Sequence, residues 1–383
     1  MNKIRLMPAL AYIWTHPDWP RLTWRADAVA ARLAAARLAQ GTVLGMAHGI
    51  GVERHPAILR DIWTGEVMAT AGIEGETLNL DSVRSSVMRK IGMPGHGASS
   101  RHVDGMVDVM DDAVRNFAAP LTHARLFAWQ AALFPTGRSG LAAITVGEYR
   151  THGDPMQIVS GRPGKEKVHY VAPPSKQVRR EMKRFLDWFG DSAPGGRVGV
   201  DGPVRAALAH LWFETIHPFE DGNGRIGRAI CDLALAQELG SPVRIYSLAT
   251  RLHQNRAQYY DQLNAAQCGS LDGTDWVLWF VGQFEEACLA SESIIRAAVH
   301  KARFWEQAPP MSLRQAKAVQ KLLDAGAEGF AGGMSAEKYV NLTGASKATA
   351  TRDLTDLAER GVLTKTGQGR GTRYWLPARR IYD

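Results

Sequence analysis

Two strongly apolar helical patterns joined by a short polar loop limit the fold of this chain more than any other feature. The first pattern, VRAALAHLWFETI, ends at Ile216, and the second, RIGRAICDLALAQELG, ends at Gly240. A helix that is apolar on nearly every side has to be buried, so both segments are expected in the core. The junction HPFEDGNGRIGR, residues 217–228, is therefore expected to hold its polar side chains in a fixed place.

The rest of the first 300 residues is also mostly helical in pattern. Further helices are predicted over residues 26–40, 56–72, 103–132, 175–189, 250–266 and 275–303. The stretches ITVGEYRT and QIVSG…KVHYVAPP predict two short strands around a turn that contains GRPGKEK. This is a β-hairpin with a basic tip over residues 158–172. The predicted fold class is mainly α: an all-helical core with a β-hairpin flap and an N-terminal helical arm.

Turn-forming residues divide the chain into three predicted domains. The Gly- and Ser-rich stretch GMPGHGASSRH marks a boundary near residue 102, and the Pro309–Pro310 pair marks another. The domains are residues 1–102, the helical arm; residues 103–303, the core; and residues 311–383.

The third domain has the outline of a winged helix-turn-helix. SAEKYVNLTG and SKATATRDLTDLAERG predict two short helices, and VLTKTGQGRGTRYWL predicts two strands across a turn. Ser346 is a good N-cap for the second helix, and Leu354, Leu357 and Val362 are predicted to be buried. The exposed first turns carry Lys347, Thr349, Thr351 and Arg352, and the wing carries Lys365, Arg370 and Arg373.

Most of the positive charge lies in this last segment. Of the net charge of +8, residues 301–383 supply +6, from 14 Lys/Arg against 8 Asp/Glu. A basic domain favours a polyanion such as DNA as partner. Winged helices also serve as protein-contact or dimer modules, and Asp353, Asp356 and Glu359 dilute the positive surface. DNA binding, protein contact and a homodimer therefore remain open.

Composition argues against a membrane or disulfide-bonded protein. No apolar run approaches the roughly 18 to 20 residues that cross a bilayer, and the N-terminus has no convincing signal-peptide cleavage site. A cytoplasmic protein without a membrane partner is expected. Cys231, Cys268 and Cys288 lack the spacing of a metal site and are expected to be buried, reduced thiols.

The junction loop combines groups that suit a bound phosphate. Gly222, Asn223 and Gly224 let several backbone N–H groups approach an anion at the start of the second apolar helix. Arg225 and Arg228 follow at i and i+3 on its first turn, so they can converge on one polyphosphate. Two cations near the positive end of a helix dipole are unfavourable unless an anion lies beside them.

Two more side chains of the loop complete a reaction centre. Asp221 can hold a Mg²⁺ that bridges phosphate oxygens, and His217 can take a proton from an incoming hydroxyl. Phe219 is expected to point inward and anchor the loop. Each feature alone has an ordinary explanation: a structural histidine at a helix end, a glycine turn, a solvated pair of arginines. Their combination in twelve residues favours phosphate chemistry.

HPFEDGNGRIGR resembles the HxFx(D/E)GNGRxxR signature of the Fic family and matches each defined position of it. The resemblance extends from about Leu121 to Ala290. GEYR and VHYVAPP resemble the family's target-docking flap, and RAQYYDQL resembles the Tyr-rich helix beside its adenine pocket. The resemblance implies transfer of AMP from Mg-ATP to a hydroxyl side chain of a target protein that docks on the 158–172 hairpin.

The resemblance also implies roles for the residues of the loop. His217 is the general base for a Ser, Thr or Tyr hydroxyl, and Asp221 holds Mg²⁺. Arg225 and Arg228 hold the outer phosphates. The residues that receive the α and β phosphates are Gly222, Asn223 and Gly224.

Two further positions concern the nucleotide. Tyr259 and Tyr260 are the adenine contacts that the resemblance implies, and Gln267 stands where some family members carry an adenine-contacting Asn. Family members with GNK in the loop are associated with phosphate transfer, so Gly224 favours AMP transfer here.

TAGIEG, from Thr70 to Gly75, is similar to the (S/T)xxxE(G/N) motif with which many Fic proteins restrain themselves. It lies at the end of a predicted helix upstream of the core, as in the class with an N-terminal inhibitory helix. Glu74 is predicted to pair with Arg228 and so to occupy the arginine that the γ-phosphate needs. An ordinary helix end with a solvated glutamate is the alternative.

Two functions are therefore open. The first is an auto-inhibited protein adenylyltransferase, and some family members also remove AMP with the same glutamate. The second is a DNA-binding transcriptional regulator whose Fic core senses nucleotide. His217 favours the enzyme, because a sensor needs no base.

Overall fold

The computed structural model describes residues 12–51, 56–94, 97–160, 167–242, 245–325 and 330–377. In these ranges the helices are α1 (Ala26–Gly49), α2 (Pro56–Ile73), α3 (Leu80–Lys90), α4 (Arg101–Arg115), α5 (His123–Leu133), α6 (Ser175–Asp191), α7 (Gly202–Ile216), α8 (Asn223–Leu239), α9 (Leu248–Gln254), α10 (Arg256–Gln267), α11 (Thr274–Gln307), α12 (Leu313–Leu323), α13 (Ala336–Thr343) and α14 (Lys347–Glu359). The strands are β1 (Arg138–Ser139), β2 (Ala142–Ala143), β3 (Gln157–Ser160), β4 (Lys167–Val171), β5 (Thr364–Thr366) and β6 (Arg373–Trp375). The predicted mainly helical class is confirmed.

The chain forms two compact units, and the division falls within α11. The first unit runs to Glu292 and the second begins at Ser293. The segments on both sides of the boundary predicted near residue 102 belong to the first unit. No helix within the described ranges combines the length and apolarity of a membrane span. Cys231 and Cys288 are buried as expected, whereas Cys268 is only partly buried.

The centre of the first unit is the pair α7 and α8. Every residue of α7 is buried, including its polar side chains. α8 begins after Gly222 and ends before Gly240, and both glycines adopt the left-handed conformation that terminates a helix. The predicted buried helices are confirmed, and α7 ends at Ile216 as predicted. The loop between them therefore lies at the edge of a well-packed core.

The N-terminal segment is tied to this core by tryptophan side chains. The Trp14 indole donates to the Val171 carbonyl at 2.8 Å, and the Trp19 indole donates to the Glu181 carboxylate at 3.0 Å. Trp19 also packs edge-on against Trp212, with ring centroids 5.8 Å apart. These contacts link the start of the described chain to β4, α6 and α7.

The flap is the antiparallel pair β3 and β4. Its register shifts between Ile158 and Val159. The Tyr170 hydroxyl donates to the Thr215 carbonyl at 2.7 Å, which fastens β4 to the end of α7. Residues 161–166, most of the GRPGKEK turn, lie outside the described residues.

Several sequence-based boundaries were wrong. α1 continues through Gly41 to Gly49, since one glycine costs a helix only about 1 kcal/mol. The predicted 250–266 helix is divided at Asn255 into α9 and α10. ITVGEYRT is not a strand, because side chains satisfy its backbone. The Thr145 N–H donates to Glu220 and the Gly147 N–H to Gln130.

The second unit contains α12 to α14 and the hairpin of β5 and β6, the elements predicted from residue 335 onward plus one helix before them. Leu354, Leu357 and Val362 are buried in its core, as predicted. Ser346 caps α14 by accepting from the Thr349 N–H. The side chain of Arg370 lies outside the described part of the chain.

Candidate functional site

His217 begins the candidate site in an unusual backbone conformation. It is the C-cap of α7, with φ 48° and ψ 63°, and among the described residues it alone has positive φ without being glycine. Such a conformation is strained and persists only where its surroundings hold it. The Arg150 Nε donates to the His217 carbonyl at 2.8 Å, and the Arg150 Nη2 donates to those of Pro173 and Ile216. Burial lowers the pKa of Arg150 to about 10.

The next part of the loop is closed by Asn223. Its side-chain Nδ2 donates to the Phe219 carbonyl, and its Oδ1 accepts from the Phe219 N–H, both at 2.9 Å. Phe219 is fully buried against Tyr149, with centroids 5.3 Å apart, so the predicted inward anchor is confirmed. The Asn223 side chain thus shapes the loop.

Gly222 and Gly224 stand at positions where a larger side chain would clash with its neighbours. Gly222 has φ 88°, and a Cβ there would lie 2.8 Å from the Phe134 ring. A Cβ at Gly224 would overlap the Glu74 Oε1 and would lie 3.2 Å from the Arg228 Nη1. Another group can therefore come close to the first turn of α8, and in this structure that group is the Glu74 carboxylate.

Arg228 is buried and bound to the end of α2. Its Nη2 donates to the Glu74 Oε1 at 2.7 Å and to the Thr70 carbonyl at 3.1 Å. Its Nε donates to the Thr70 hydroxyl at 2.7 Å. The predicted pairing of Glu74 with Arg228 is therefore present, and Thr70 takes part in it. Gly75, with φ 80°, turns the chain away immediately afterwards.

Arg225 is held by a second acid, which the sequence analysis missed. Its Nη1 donates to the Glu76 Oε1 at 2.9 Å, and its Nη2 lies 3.5 Å from the Asp221 Oδ1. The guanidinium also lies over the Phe134 ring at 4.9 Å. Glu76 follows Glu74 by two residues in IEGE, so the one available signal was this repeated acid.

His102 completes this second contact. Its Nε2 lies 3.0 Å from the Glu76 Oε2 and its Nδ1 lies 3.1 Å from the Leu133 carbonyl. An ionised carboxylate and a carbonyl only accept hydrogen bonds, so both ring nitrogens have to donate and the imidazole is protonated. The hydrogen bond to Glu76 raises the pKa of His102 and outweighs the lowering by burial.

Two arginine donors are left over. The Arg225 Nε and the Arg228 Nη1 are buried, with no hydrogen-bond partner in the part of the chain that the structure describes. Buried donors are nearly always satisfied, so unsatisfied ones beside a helix N-terminus favour an anion as ligand. The site therefore has more capacity for anions than Glu74 and Glu76 use.

Asp221 lies at the open side of the loop. Its Oδ2 accepts from the Ser139 hydroxyl on β1, and its Oδ1 accepts from the Gly222 N–H at 2.5 Å. Within the described ranges no three His, Cys, Asp or Glu side chains cluster as a metal cage. Mg²⁺ usually takes one or two carboxylates plus substrate phosphates, so a single half-exposed Asp fits an ion that arrives with a nucleotide.

The two tyrosines differ in what they offer a ligand. Tyr259 is buried, and its hydroxyl lies 2.7 Å from the His210 Nε2. Tyr260 is 41% exposed, and its hydroxyl donates to the Ile73 carbonyl at 2.9 Å. The ring centroids of Tyr259 and Tyr260 are 5.2 Å apart. Because Tyr260 is bonded to Ile73, the pair lies beside the end of α2.

Comparison with known proteins identifies two regions of the chain. A model of the Fic/DOC family matches residues 120–235, and a model described as a domain of unknown function (DUF4172) matches residues 12–93. The first match covers the flap, α7, the junction loop and most of α8.

Two curated relatives share part of this sequence. Protein adenylyltransferase fic-1 of Caenorhabditis elegans is 27% identical over 217 residues, which are 56% of this chain and 38% of that protein. Protein adenylyltransferase Fic of Nematostella vectensis is 25% identical over 222 residues, 56% of this chain and 45% of that protein. The chain thus spans less than half the length of these curated relatives.

A solved structure shares the fold. A Fic family protein from Desulfovibrio desulfuricans aligns with a TM-score of 0.53 at 21% identity, over 93% of this chain and 98% of that chain. The family match and the two curated relatives together show that residues 120–235 of this chain form a Fic/DOC family domain.

Proposed function

We propose that this chain is a protein adenylyltransferase that transfers AMP from Mg-ATP to a Ser, Thr or Tyr hydroxyl of a target protein. One observation carries the proposal: two buried arginines converge at the N-terminus of α8, and acids of the chain itself hold the place of the phosphates. The C. elegans and N. vectensis relatives, both named protein adenylyltransferases, support the same activity.

The loop residues divide the reaction among them. The target hydroxyl oxygen forms a bond to the α-phosphorus of ATP while the bond to the leaving pyrophosphate breaks. His217 takes the hydroxyl proton, and Arg225 and Arg228 hold the outer phosphates. Asp221 would hold Mg²⁺, which offsets negative charge on the phosphates when it is bound. The open first turn at Gly224 lets the phosphates approach the helix N-terminus.

The end of α2 restrains this activity. Glu74 uses the Arg228 donors that the γ-phosphate needs, so ATP would bind in a pose that does not react. A charge-assisted hydrogen bond contributes about 1.5 to 3 kcal/mol, which corresponds to a suppression of roughly 10- to 100-fold. Glu76 adds to the restraint by holding Arg225 in the same way.

A target segment would dock on the β3–β4 flap. In the described part of the chain these strands pair only with each other, and Val159 and Val168 are 46% and 43% exposed. An extended segment can add to such an edge through backbone hydrogen bonds and bury apolar side chains. A target bound there would have its hydroxyl near the loop, because the Tyr170 hydrogen bond holds β4 against the end of α7.

DNA binding by the second unit is a second candidate function. Lys347, Thr351 and Arg352 are exposed on the first turns of α14, and Lys365 is exposed on β5. Cations on a short helix and an adjacent hairpin fit the phosphates that flank a major groove. This role would locate the enzyme and is compatible with the first proposal.

Glu74→Gly is expected to raise AMP transfer roughly 10- to 100-fold, because it frees Arg228 for the γ-phosphate. The measurement is incorporation of α-labelled ATP into the protein itself or into a copurifying partner, with Mg²⁺ present. Equal incorporation by wild type and variant would remove the restraint from the account.

Two variants control this measurement. Asp61→Ala removes another acid of α2, which pairs with Arg60, and is expected to leave the rate unchanged. His217→Ala in the Glu74→Gly background is expected to lower the rate about 100-fold or more, the usual contribution of a general base.

The contact between His102 and Glu76 predicts a pH dependence. Because the folded-state pKa of His102 is raised, this contact contributes stability below the ordinary histidine pKa of about 6.5 and loses it as pH rises through the raised value. NMR titration should show a high His102 pKa that falls in Glu76→Gln, while Glu181→Gln, a buried acid on α6, leaves it unchanged. The same His102 pKa in all three proteins would contradict the assignment.

DNA binding predicts a specific salt dependence. Each lost phosphate contact lowers the slope of log affinity against log salt by about 0.9, so Lys347→Ala with Arg352→Ala should reduce it by roughly 2. Lys317→Ala with Lys321→Ala, two exposed lysines on α12, is the matched control and should change little. Salt-independent affinity of the full chain would rule out this role.

A further inference from the structure

A buried carboxylate lies beside His217, and neither the proposed reaction nor the restraint uses it. Glu214 is on the last turn of α7 and is only 5% exposed. Its Oε2 lies 3.5 Å from the His217 Nδ1. The Glu214 Oε1 and the His217 Nδ1 are both buried without a hydrogen-bond partner among the described residues. A buried carboxylate is costly unless it is paired, so its place next to this imidazole calls for an explanation.

The neighbouring helix leaves room for this carboxylate. A Cβ at Gly227 would lie 2.6 Å from the Glu214 Oε1 and 3.1 Å from the His210 ring. A side chain at position 227 would therefore collide with the Glu214 carboxylate and crowd the His210 ring. The family signature leaves this position undefined, so the glycine is explained by the carboxylate.

The charges around Glu214 keep it ionised. Burial raises the pKa of Glu214, but the contact with His217 and the positive charge of Arg228 are among the causes that lower it, and the net shift is downward. The titratable and charged groups that surround the pair are His210 on α7, Arg228 and Cys231 on α8, Tyr259 on α10 and Glu74 after α2.

The other basic groups nearby make their hydrogen bonds elsewhere, and the Arg228 Nη1 has no partner among the described residues. His210 contacts the Tyr259 hydroxyl, and burial lowers its pKa, which favours its neutral form. Arg228 donates to Thr70 and Glu74. His217 is therefore the group that Glu214 is placed to affect.

We propose that Glu214 is a positioning residue for His217: its carboxylate accepts the Nδ1–H and so leaves the Nε2 lone pair free to receive the proton of the target hydroxyl. The inference rests on the proposed function, because it assigns the nitrogen that acts as base. A neutral imidazole carries one proton, and a partner at one nitrogen decides where that proton lies. Hydrogen bonds of catalytic groups are often long before substrate binds, which agrees with the 3.5 Å separation.

The proton balance during transfer is simple. The hydroxyl proton moves to the His217 Nε2 as the oxygen bonds to the α-phosphorus, and the imidazole becomes positively charged. Glu214 stays ionised and stabilises that charge, as a buried carboxylate does in hydrolases with a histidine base. A purely structural Glu214 would make no difference to which nitrogen carries the proton.

The test measures the tautomer of His217 in the full chain. Glu74→Gly serves as the parent, labelled with ¹⁵N-histidine, and long-range ¹H–¹⁵N spectra distinguish Nδ1–H from Nε2–H. His217→Ala assigns the signal. The variants are Glu214→Leu, which removes the acceptor, and Glu214→Gln, which keeps an acceptor oxygen but removes the charge. Glu181→Gln changes a buried carboxylate on α6 and is the matched control.

The expected results separate the three variants. The parent and Glu181→Gln carry the proton on Nδ1. Glu214→Leu shifts it mainly to Nε2 and lowers kcat for AMP transfer about 100-fold, with the KM for ATP within about twofold. Glu214→Gln keeps Nδ1–H, lowers kcat about 10-fold and moves the pH–rate profile to lower pH, because the imidazolium loses its counter-charge.

Several outcomes would overturn the proposal. A proton on Nε2 in the parent, or an unchanged tautomer in Glu214→Leu, removes the role of Glu214. If Glu214→Leu does not fold, Glu214→Gln decides: a pH–rate profile that matches the parent overturns the proposal. Absence of AMP transfer in the parent, with the expected tautomer change still present, contradicts the proposed function and supports the positioning of His217.

Discussion

Two buried arginines at the start of α8 need anionic partners, and the arrangement of the site depends on this need. Arg225 and Arg228 are buried on the first two turns of α8, near the end of the helix where the dipole already places positive charge. An unpaired buried cation is strongly destabilising, so the fold has to supply acids or bind them. In the present state Glu74 and Glu76 fill this role, and these two ion pairs join the segment at the end of α2 to α8.

The frame around these arginines does not depend on the anion. Arg150 fixes the strained backbone of His217, and the Asn223 side chain closes the loop onto Phe219. An exchange of carboxylates for phosphates would therefore leave the loop in place and change only what fills it. This exchange is the physical link between restraint and catalysis in our account, because both use the same two arginines.

The part of the site that the sequence could predict is the part encoded locally. α7 and α8 were predictable since their apolar residues leave no solvent-facing side, and the loop chemistry followed from residues 217–228. The pairing of Glu74 with Arg228 was predicted from the resemblance of TAGIEG to the inhibitory motif of Fic proteins. The contacts of Glu76 with Arg225 and of Ser139 with Asp221 join residues far apart in sequence, so the local sequence does not identify the partners. The false strand in ITVGEYRT arose likewise, because Gln130 and Glu220 bind its N–H groups from elsewhere in the chain.

The most direct measurement is a crystal structure of the Glu74→Gly variant with Mg²⁺ and a non-hydrolysable ATP analogue. Our account predicts the outer phosphates on Arg225 and Arg228, including the unused Nε and Nη1 donors, with the His217 imidazole facing the α-phosphorus. A nucleotide bound elsewhere, or an empty loop with His217 turned into the interior, would contradict it.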